Sequence, residues 1–172
     1  LTKNKRKEIL LSLNNSVKYC TSISSEKEID AYGLTFANTM AMKRSIFCLL
    51  EILSKYIAYR NYEFQIFIDG KYKPNFLEFD KSLKIKQLKI MSNHIIPLIK
   101  GDSKSKTIAL ASIIAKETRD NIMRQYSLKY PNYFFNKHLG YGTIKHKEAI
   151  LKYGILELHR KSFKPMSTIY SQ

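Results

Sequence analysis

The sequence predicts an α/β fold, a sheet flanked by helices, and three observations carry that prediction. Two short apolar runs, Phe64–Ile68 and Met91–Ile99, read as strands; Asp69 follows the first at once, and Asp102 follows the second after Lys100-Gly101. A long helical pattern begins directly after Asp102, so this carboxylate stands where a strand hands over to a helix, the place where open α/β sheets put their chemistry. A second long amphipathic pattern, Leu34–Tyr59, is apolar at Phe36, Met40, Phe47, Leu50 and Ile57 and is suited to covering one face of the sheet.

The other elements follow in order. Thr2–Leu13 reads as a helix with Thr2 as N-cap and Ile9, Leu10 and Leu13 as its apolar stripe; Asn14-Asn15 ends it. Val17–Ser24 has the alternation and β-branched content of a strand. Ser25 caps a short helix over Glu26–Tyr32, and Gly33 breaks it. The helix from Lys100 to Asp120 places Ile108, Ala111, Ser112, Ala115, Thr118 and Ile122 on one small-residue face that suits close approach to a sheet. On that reading Lys116, Arg119, Asp120 and Arg124 project outwards or along the edge, with Asp120 paired to Arg119 or Arg124. Tyr130-Pro131 marks a break, since the residue before proline is pushed out of helical space. Thr143–Tyr153 is a further helix, capped by Thr143 and closed by Gly154, and Met166–Gln172 reads as a frayed tail.

Composition bounds the function classes. A chain of 172 residues with 44% apolar content is one ordinary domain, long enough to bury a core. No apolar run approaches the roughly 18 residues of a membrane span. Cys20 and Cys48 have no paired spacing and read as reduced core thiols of a cytoplasmic protein. Thirty Lys and Arg against fourteen Asp and Glu give a net charge of +16, spread along the chain. Such a surface favours a polyanion, and nucleic acid rewards each neutralising side chain through counterion release. A Lys-rich compositional bias would raise the charge without any partner, so charge alone leaves both readings open.

Individual residues carry a similar ambiguity. Asp69-Gly70 after a strand is a hairpin-turn signal as well as a strand-end carboxylate. Asp102 is suited to capping the following helix, where free N–H groups and the dipole favour a carboxylate, and equally to holding a hard cation. His138, His146 and His159 have spacings that fit no common zinc site. Arg160, Lys161 and Ser162 suit phosphate oxygens, because the guanidinium fork and the hydroxyl both donate to them. A salt-bridged surface segment would look the same.

The order of motifs resolves more than any one of them. GDSKS (101–105), ASIIAKETRD (111–120), YP (130–131), KHLGYGT (137–143) and HRKSFKP (159–165) follow one another closely, preceded by EIDAYGLTFANTMAMKRS (28–45) and FIDG (67–70). In this order they resemble ribonuclease HII, and the resemblance covers nearly the whole chain. It implies an RNase H-like domain over residues 1–172, a mixed sheet flanked by helices with a helical C-terminal region. It also implies an N-terminally incomplete copy, since Leu1–Leu10 resembles the latter part of the family's lysine-containing motif and the helix after it, and no equivalent of the family's adjacent Asp-Glu pair or Gly-Arg-Gly turn appears in this sequence.

The resemblance further implies an endonuclease that hydrolyses the RNA strand of RNA–DNA hybrids, and single ribonucleotides embedded in duplex DNA, on the 5′ side, leaving a 5′-phosphate and a 3′-hydroxyl. Asp69 and Asp102 match two of the carboxylates that hold two Mn2+ or Mg2+ ions. Tyr141, between Gly140 and Gly142, matches the residue that stacks on the sugar beside the junction; Lys104, Arg160, Lys161 and Ser162 match substrate-contacting positions. Leu139 departs from the family, where the residue after the histidine is often basic. Residues 71–90, with six Lys and with Tyr72, Phe76 and Phe79, exceed the family's connection and read as a basic insertion, either a duplex-contacting lobe or a solvated variable loop. The expected protein is a monomer with no membrane partner. Two alternatives remain: a hybrid-binding remnant without catalysis, and a plain RNA-binding or ribosomal protein.

Overall fold

The computed structural model describes residues 1–13, 17–55, 65–71, 95–164 and 166–170. Its elements are α1 (Lys3–Ser12), α2 (Glu26–Tyr32), α3 (Leu34–Ser54), β1 (Ile66–Asp69), β2 (Ile95–Leu98), α4 (Gly101–Lys104), α5 (Lys106–Lys129), a 3-10 turn (Pro131–Tyr133), α6 (Phe135–His138), α7 (Ile144–Tyr153) and α8 (Met166–Tyr170). The described residues are therefore mostly helical, with one two-stranded parallel sheet. They divide into two compact units, one of Leu1–Thr21 with Met42–Ala115 and the other of Ser22–Ala41 with Lys116–Gln172.

In the first unit β1 and β2 pair in parallel, Ile66 against Ile95 and Asp69 against Leu98. Parallel partners need a crossover of a dozen residues or more, and residues 70–94 supply that length. The basic stretch singled out as an insertion falls mostly on residues 72–90, outside the described residues. Ile68 and Ile95 are buried, with Met42, Ile46 and Ile66 packed against them. The side of α3 that meets the strands is thus Met42 and Ile46, while the predicted Phe47 is half-buried beside the Lys43 ammonium, 5.7 Å from its ring centroid. Ile57 lies outside the described residues.

The predicted strand Val17–Ser24 does not form. Residues 17–25 are irregular, because an extended stretch becomes a strand only with a backbone ladder partner, and none is present among the described residues. The cysteine reading also changes. Cys48 is exposed, Cys20 is half-buried, and the two thiols are hydrogen-bonded neighbours, not isolated core residues.

In the second unit the fully buried Phe135 stacks on Tyr133, ring centroids 5.7 Å apart, and Ala149, Ile150 and Met166 complete the core. The Tyr133 hydroxyl lies 3.0 Å from the Tyr153 carbonyl and 2.8 Å from that of Gly154, which ties down the end of α7. Met166 anchors α8 in this core, so residues 166–170 of the predicted frayed tail are helical, and residues 171 and 172 lie outside the described residues. Short-range expectations hold well here and in α1. Thr2 caps α1, Ser25 and Glu28 form a reciprocal capping box on α2, Thr143 caps α7, and Gly33 and Gly154 end α2 and α7 with positive φ.

The long C-terminal helix differs from its predicted form. α4 is a separate turn, the chain is extended at Ser105, and the Ser105 Oγ accepts the Ile108 N–H at 3.5 Å as α5 begins. The buried positions of α5 are Ile108, Ile113, Ile114, Glu117 and Asp120, whereas Ala111, Ser112 and Ala115 are exposed. Both sets satisfy a 3.6-residue period; the larger apolar side chains take the interior because they remove more apolar area from water. Asp120, expected to point outwards, is only 2% exposed, with the Arg119 guanidinium 3.9 Å away, and Arg124 pairs with the buried Glu117.

Candidate functional site

Asp69 is the last residue of β1, and its side chain is exposed. One of its oxygens, Oδ1, accepts the backbone N–H of Gly101 at 2.8 Å, and the N–H of Gly70 donates to the Leu98 carbonyl at 2.9 Å. The end of β1 is thereby fastened to the exit of β2. Lys100 turns the chain there in the left-handed conformation, φ 54°, which costs roughly 1–2 kcal/mol for a residue with a Cβ. Asp102 follows in the first turn of α4, exposed, two residues beyond the cap position. It is therefore not the cap of the long helix; Lys100 precedes α4, and Ser105 stands before α5.

Gly101 has to be small. A Cβ there would lie 2.6 Å from Ile108 Cδ1 and 3.3 Å from both Asp69 Oδ1 and Leu98 Cβ. Lys104, on the exposed face of α4, ends the same short helix. Hard cations take carboxylate oxygens, so Asp69 and Asp102 fit Mg2+ or Mn2+ in kind. They are two donors, however, and among the described residues no group of three His, Cys, Asp or Glu side chains converges.

The second unit holds the remaining predicted residues. Tyr141 is exposed, and the Arg119 guanidinium lies over its ring, 4.8 Å from the centroid. Leu139 and Gly140 are both left-handed, φ 52° and 77°, and a Cβ on Gly140 would stand 3.0 Å from Met123 Sδ. Gly142 has open space around it. Leu139, at the position where a basic residue was expected, turns the chain with its side chain half-buried.

Three buried histidines hold this turn, and the spacing of His138, His146 and His159 gave no hint that they meet. The His138 and His146 rings stack with centroids 4.4 Å apart, and His146 Nε2 is 3.1 Å from His159 Nε2. One proton assignment satisfies most of the contacts. His138 Nδ1 accepts the Gly140 N–H at 3.2 Å while its Nε2–H donates to the Tyr133 carbonyl at 2.8 Å. His146 Nδ1–H donates to the Tyr141 carbonyl at 3.0 Å, and its Nε2 accepts from His159 Nε2–H. His159 Nδ1 then accepts the Leu156 N–H at 2.9 Å. All three rings are neutral in this arrangement, and each acceptor nitrogen already has a donor, which leaves no lone pair for zinc. Burial pushes the His159 ring down to about 4, helped by the neighbouring His146, and burial lowers His146 as well.

The basic segment after His159 has an unexpected partner. The Asp30 carboxylate, on α2, accepts the N–H of Lys161 at 2.7 Å on Oδ2, and on Oδ1 the N–H of Ser162 at 3.0 Å and the Ser162 hydroxyl. Burial raises the Asp30 carboxyl, but the hydrogen bonds from Ser162 and Lys161 and the nearby Arg160 charge outweigh it and hold the group below its ordinary value. Arg160 is half-buried with its guanidinium 3.8 Å from the centroid of Phe163. Burial and the Arg119 charge both push Arg160 down, and Asp30 opposes them.

The family model for ribonuclease HII matches residues 1–166. The chain belongs to the ribonuclease HII family. It is 41% identical over 164 residues to the ribonuclease HII of Clostridioides difficile (strain 630), which covers 95% of this chain and 54% of that protein. It is 38% identical over 166 residues to that of Pseudothermotoga lettingae, with 96% and 62% covered. Against that of Endomicrobium trichonymphae it is 34% identical over 170 residues, with 98% and 70% covered. The chain thus spans between about half and seven-tenths of the length of these ribonuclease HII relatives.

Five residues that shape this part of the second unit have no local signal in the sequence for the contact each makes: Arg119, Asp30, His138, His146 and His159. EID (28–30) and HRKS (159–162) lie far apart, and nothing in a single sequence says that one holds the other.

Proposed function

We propose that this chain forms part of an endonuclease that cuts the RNA strand of RNA–DNA hybrids, and DNA duplexes with embedded ribonucleotides, on the 5′ side of a ribonucleotide, leaving a 5′-phosphate and a 3′-hydroxyl. It folds as an RNase H-like α/β domain and works in the cytoplasm as a monomer. The observation that carries the reading is Asp69 at the end of β1, tied through Gly101 to the turn that presents Asp102. Membership of the ribonuclease HII family supports it. Asp69 and Asp102 would hold Mn2+ or Mg2+, which when bound supplies Lewis acidity and a nucleophilic water at neutral pH.

The chain's own groups bind and orient. Tyr141 offers its exposed ring to the sugar at the ribonucleotide, stiffened by Arg119 on its face and by the histidines behind the Gly140–Gly142 turn. Arg160, Lys161 and Lys104 meet phosphates, and Ser162 holds the 160–163 turn through its bond to Asp30. The 2′-hydroxyl is what distinguishes ribose from deoxyribose at the cut.

A second reading, hybrid binding without hydrolysis, is favoured by the pairing of only two strand-end carboxylates among the described residues. Incubating the chain with a DNA duplex carrying one ribonucleotide, in Mg2+ or Mn2+, beside an Asp69→Asn variant separates the two. Cleavage 5′ of the ribonucleotide that the variant lacks supports the nuclease. Binding by both proteins with no cleavage by either supports the second reading.

A further inference from the structure

Asp30 stands in the last turn of α2, a seven-residue helix. A carboxylate near a helix C-terminus faces the negative end of the dipole, so helix stability does not account for an aspartate there. Its partners lie instead 131 and 132 residues away. Two successive backbone N–H groups, of Lys161 and Ser162, and the Ser162 hydroxyl all point at the one carboxylate. α2 is itself rigid at its start, where Ser25 and Glu28 close the capping box.

The turn so gripped carries Arg160 and Lys161. Phe163 packs against the unit's aromatic core and lies under the Arg160 guanidinium, so one end of the turn is held by stacking and its backbone by Asp30. Arg119, the residue over Tyr141, is close enough for its charge to be felt at Arg160. Two guanidinium groups repel, and Asp30 supplies the opposite charge that steadies Arg160 beside Arg119.

We propose that Asp30 is a positioning residue for nucleic-acid binding, clamping the 160–163 turn so that Arg160 and Lys161 face the phosphate backbone. This rests on the nuclease reading, which makes that turn a phosphate contact. The alternative is that Asp30 occupies the donors of an anion site and competes with phosphate. The two roles differ in sign. Removing a negative charge from a chain of net charge +16 strengthens polyanion binding unless the charge was holding a contact in place.

The test is equilibrium binding of a fluorescein-labelled DNA duplex carrying one ribonucleotide, in Ca2+, across a salt series. It compares the unaltered chain with Asp30→Asn, Ser162→Ala, Arg160→Ala and the Asp30→Asn/Arg160→Ala pair. Positioning predicts weaker binding by Asp30→Asn, by about three- to tenfold, and a salt slope shallower by about 0.9, the signature of one lost phosphate contact. It predicts a smaller loss when Asp30→Asn is added to Arg160→Ala than when it is made alone, because only the Lys161 contact is then left to misplace. Ser162→Ala, which removes one of the three bonds, should fall in between and keeps the test open if Asp30→Asn misfolds by circular dichroism. A purely structural role lowers thermal stability without moving the salt slope of the folded protein, and that result overturns the proposal. Equal or tighter binding by a folded Asp30→Asn also overturns it, the tighter case in favour of competition. If the unaltered chain shows no salt-dependent binding, the nuclease-surface reading falls and this one with it; binding with an unchanged variant removes Asp30's role alone.

Discussion

The Asp69 carboxylate and the Gly101 amide, 32 residues apart in sequence, meet at 2.8 Å and join the end of β1 to the start of α4. That single bond gives Asp69 two separable properties, an acceptor oxygen and a negative charge. Asp69→Asn keeps the acceptor and loses the charge, whereas Asp69→Ala loses both. Urea titration should find Asp69→Asn within about 0.5 kcal/mol of the parent and Asp69→Ala destabilised by about 1–2 kcal/mol. On the proposed nuclease reading, cleavage of a ribonucleotide-containing duplex should be nearly abolished in both. Equal stability of the two variants would mean that the Gly101 bond does not hold the turn.

The histidine stack predicts an acid-sensitive fold. His146 and His159 are both lowered from the ordinary 6.5, His159 to about 4. Above pH 6.5 the rings are neutral in the folded and unfolded chains alike, and their contribution is fully present. As pH falls from 6.5 towards 4 the unfolded chain takes up protons first, so stability drains over that window. Protonation of His159 would also set its Nδ1–H against the Leu156 N–H. Asp30, lowered from 3.8, loses its contribution as pH falls through and below that value, so the histidines dominate from pH 6.5 to about 5 and the two effects merge near pH 4. Urea midpoints at pH 7.5, 6.0, 5.0 and 4.5 should decline steadily, and His159→Gln should flatten that decline; a midpoint flat from 7.5 to 4.5 in the parent would contradict the neutral assignment.

The two glycines around Tyr141 should respond differently to alanine. Gly140 has φ 77° and would bring a Cβ to 3.0 Å from Met123 Sδ, so Gly140→Ala should cost about 1–2 kcal/mol. Gly142 meets nothing within 4 Å, and Gly142→Ala should stay within about 0.5 kcal/mol. Thermal melts of both variants check this, and a tolerated Gly140→Ala would show that the turn relaxes freely.

Alkylation should distinguish the thiols. Burial raises Cys20 to about 12, and the Cys48 hydrogen bond and the nearby Cys48 and Glu51 add to it. The thiolate is the nucleophile, so at pH 8 Cys20 should label with iodoacetamide far more slowly than the exposed Cys48. Cys48→Ala should speed labelling of Cys20. Mass spectrometry of timed samples reads both, and equal rates would show that Cys20 is not shielded.

What the sequence determined by itself was local. The caps at Thr2, Ser25 and Thr143, the stops at Gly33 and Gly154, the break at Tyr130-Pro131 and the aspartates after each strand all depend on neighbours three or four residues away. Ordered motifs also carried family membership, because their joint spacing is hard to reproduce by chance. Tertiary structure decided whatever depends on a distant partner. Residues 17–24 have the composition of a strand and lack a ladder partner among the described residues; α5 offers two faces of equal period, and the bulk of Ile113 and Ile114 selects the one that is buried. Three histidines 8 and 13 residues apart converge only because α6, α7 and the segment after α7 pack on Phe135. Asp30 and Ser162 meet across 132 residues. Hydrogen bonds and burial act through space, and one chain read along its length does not contain those distances.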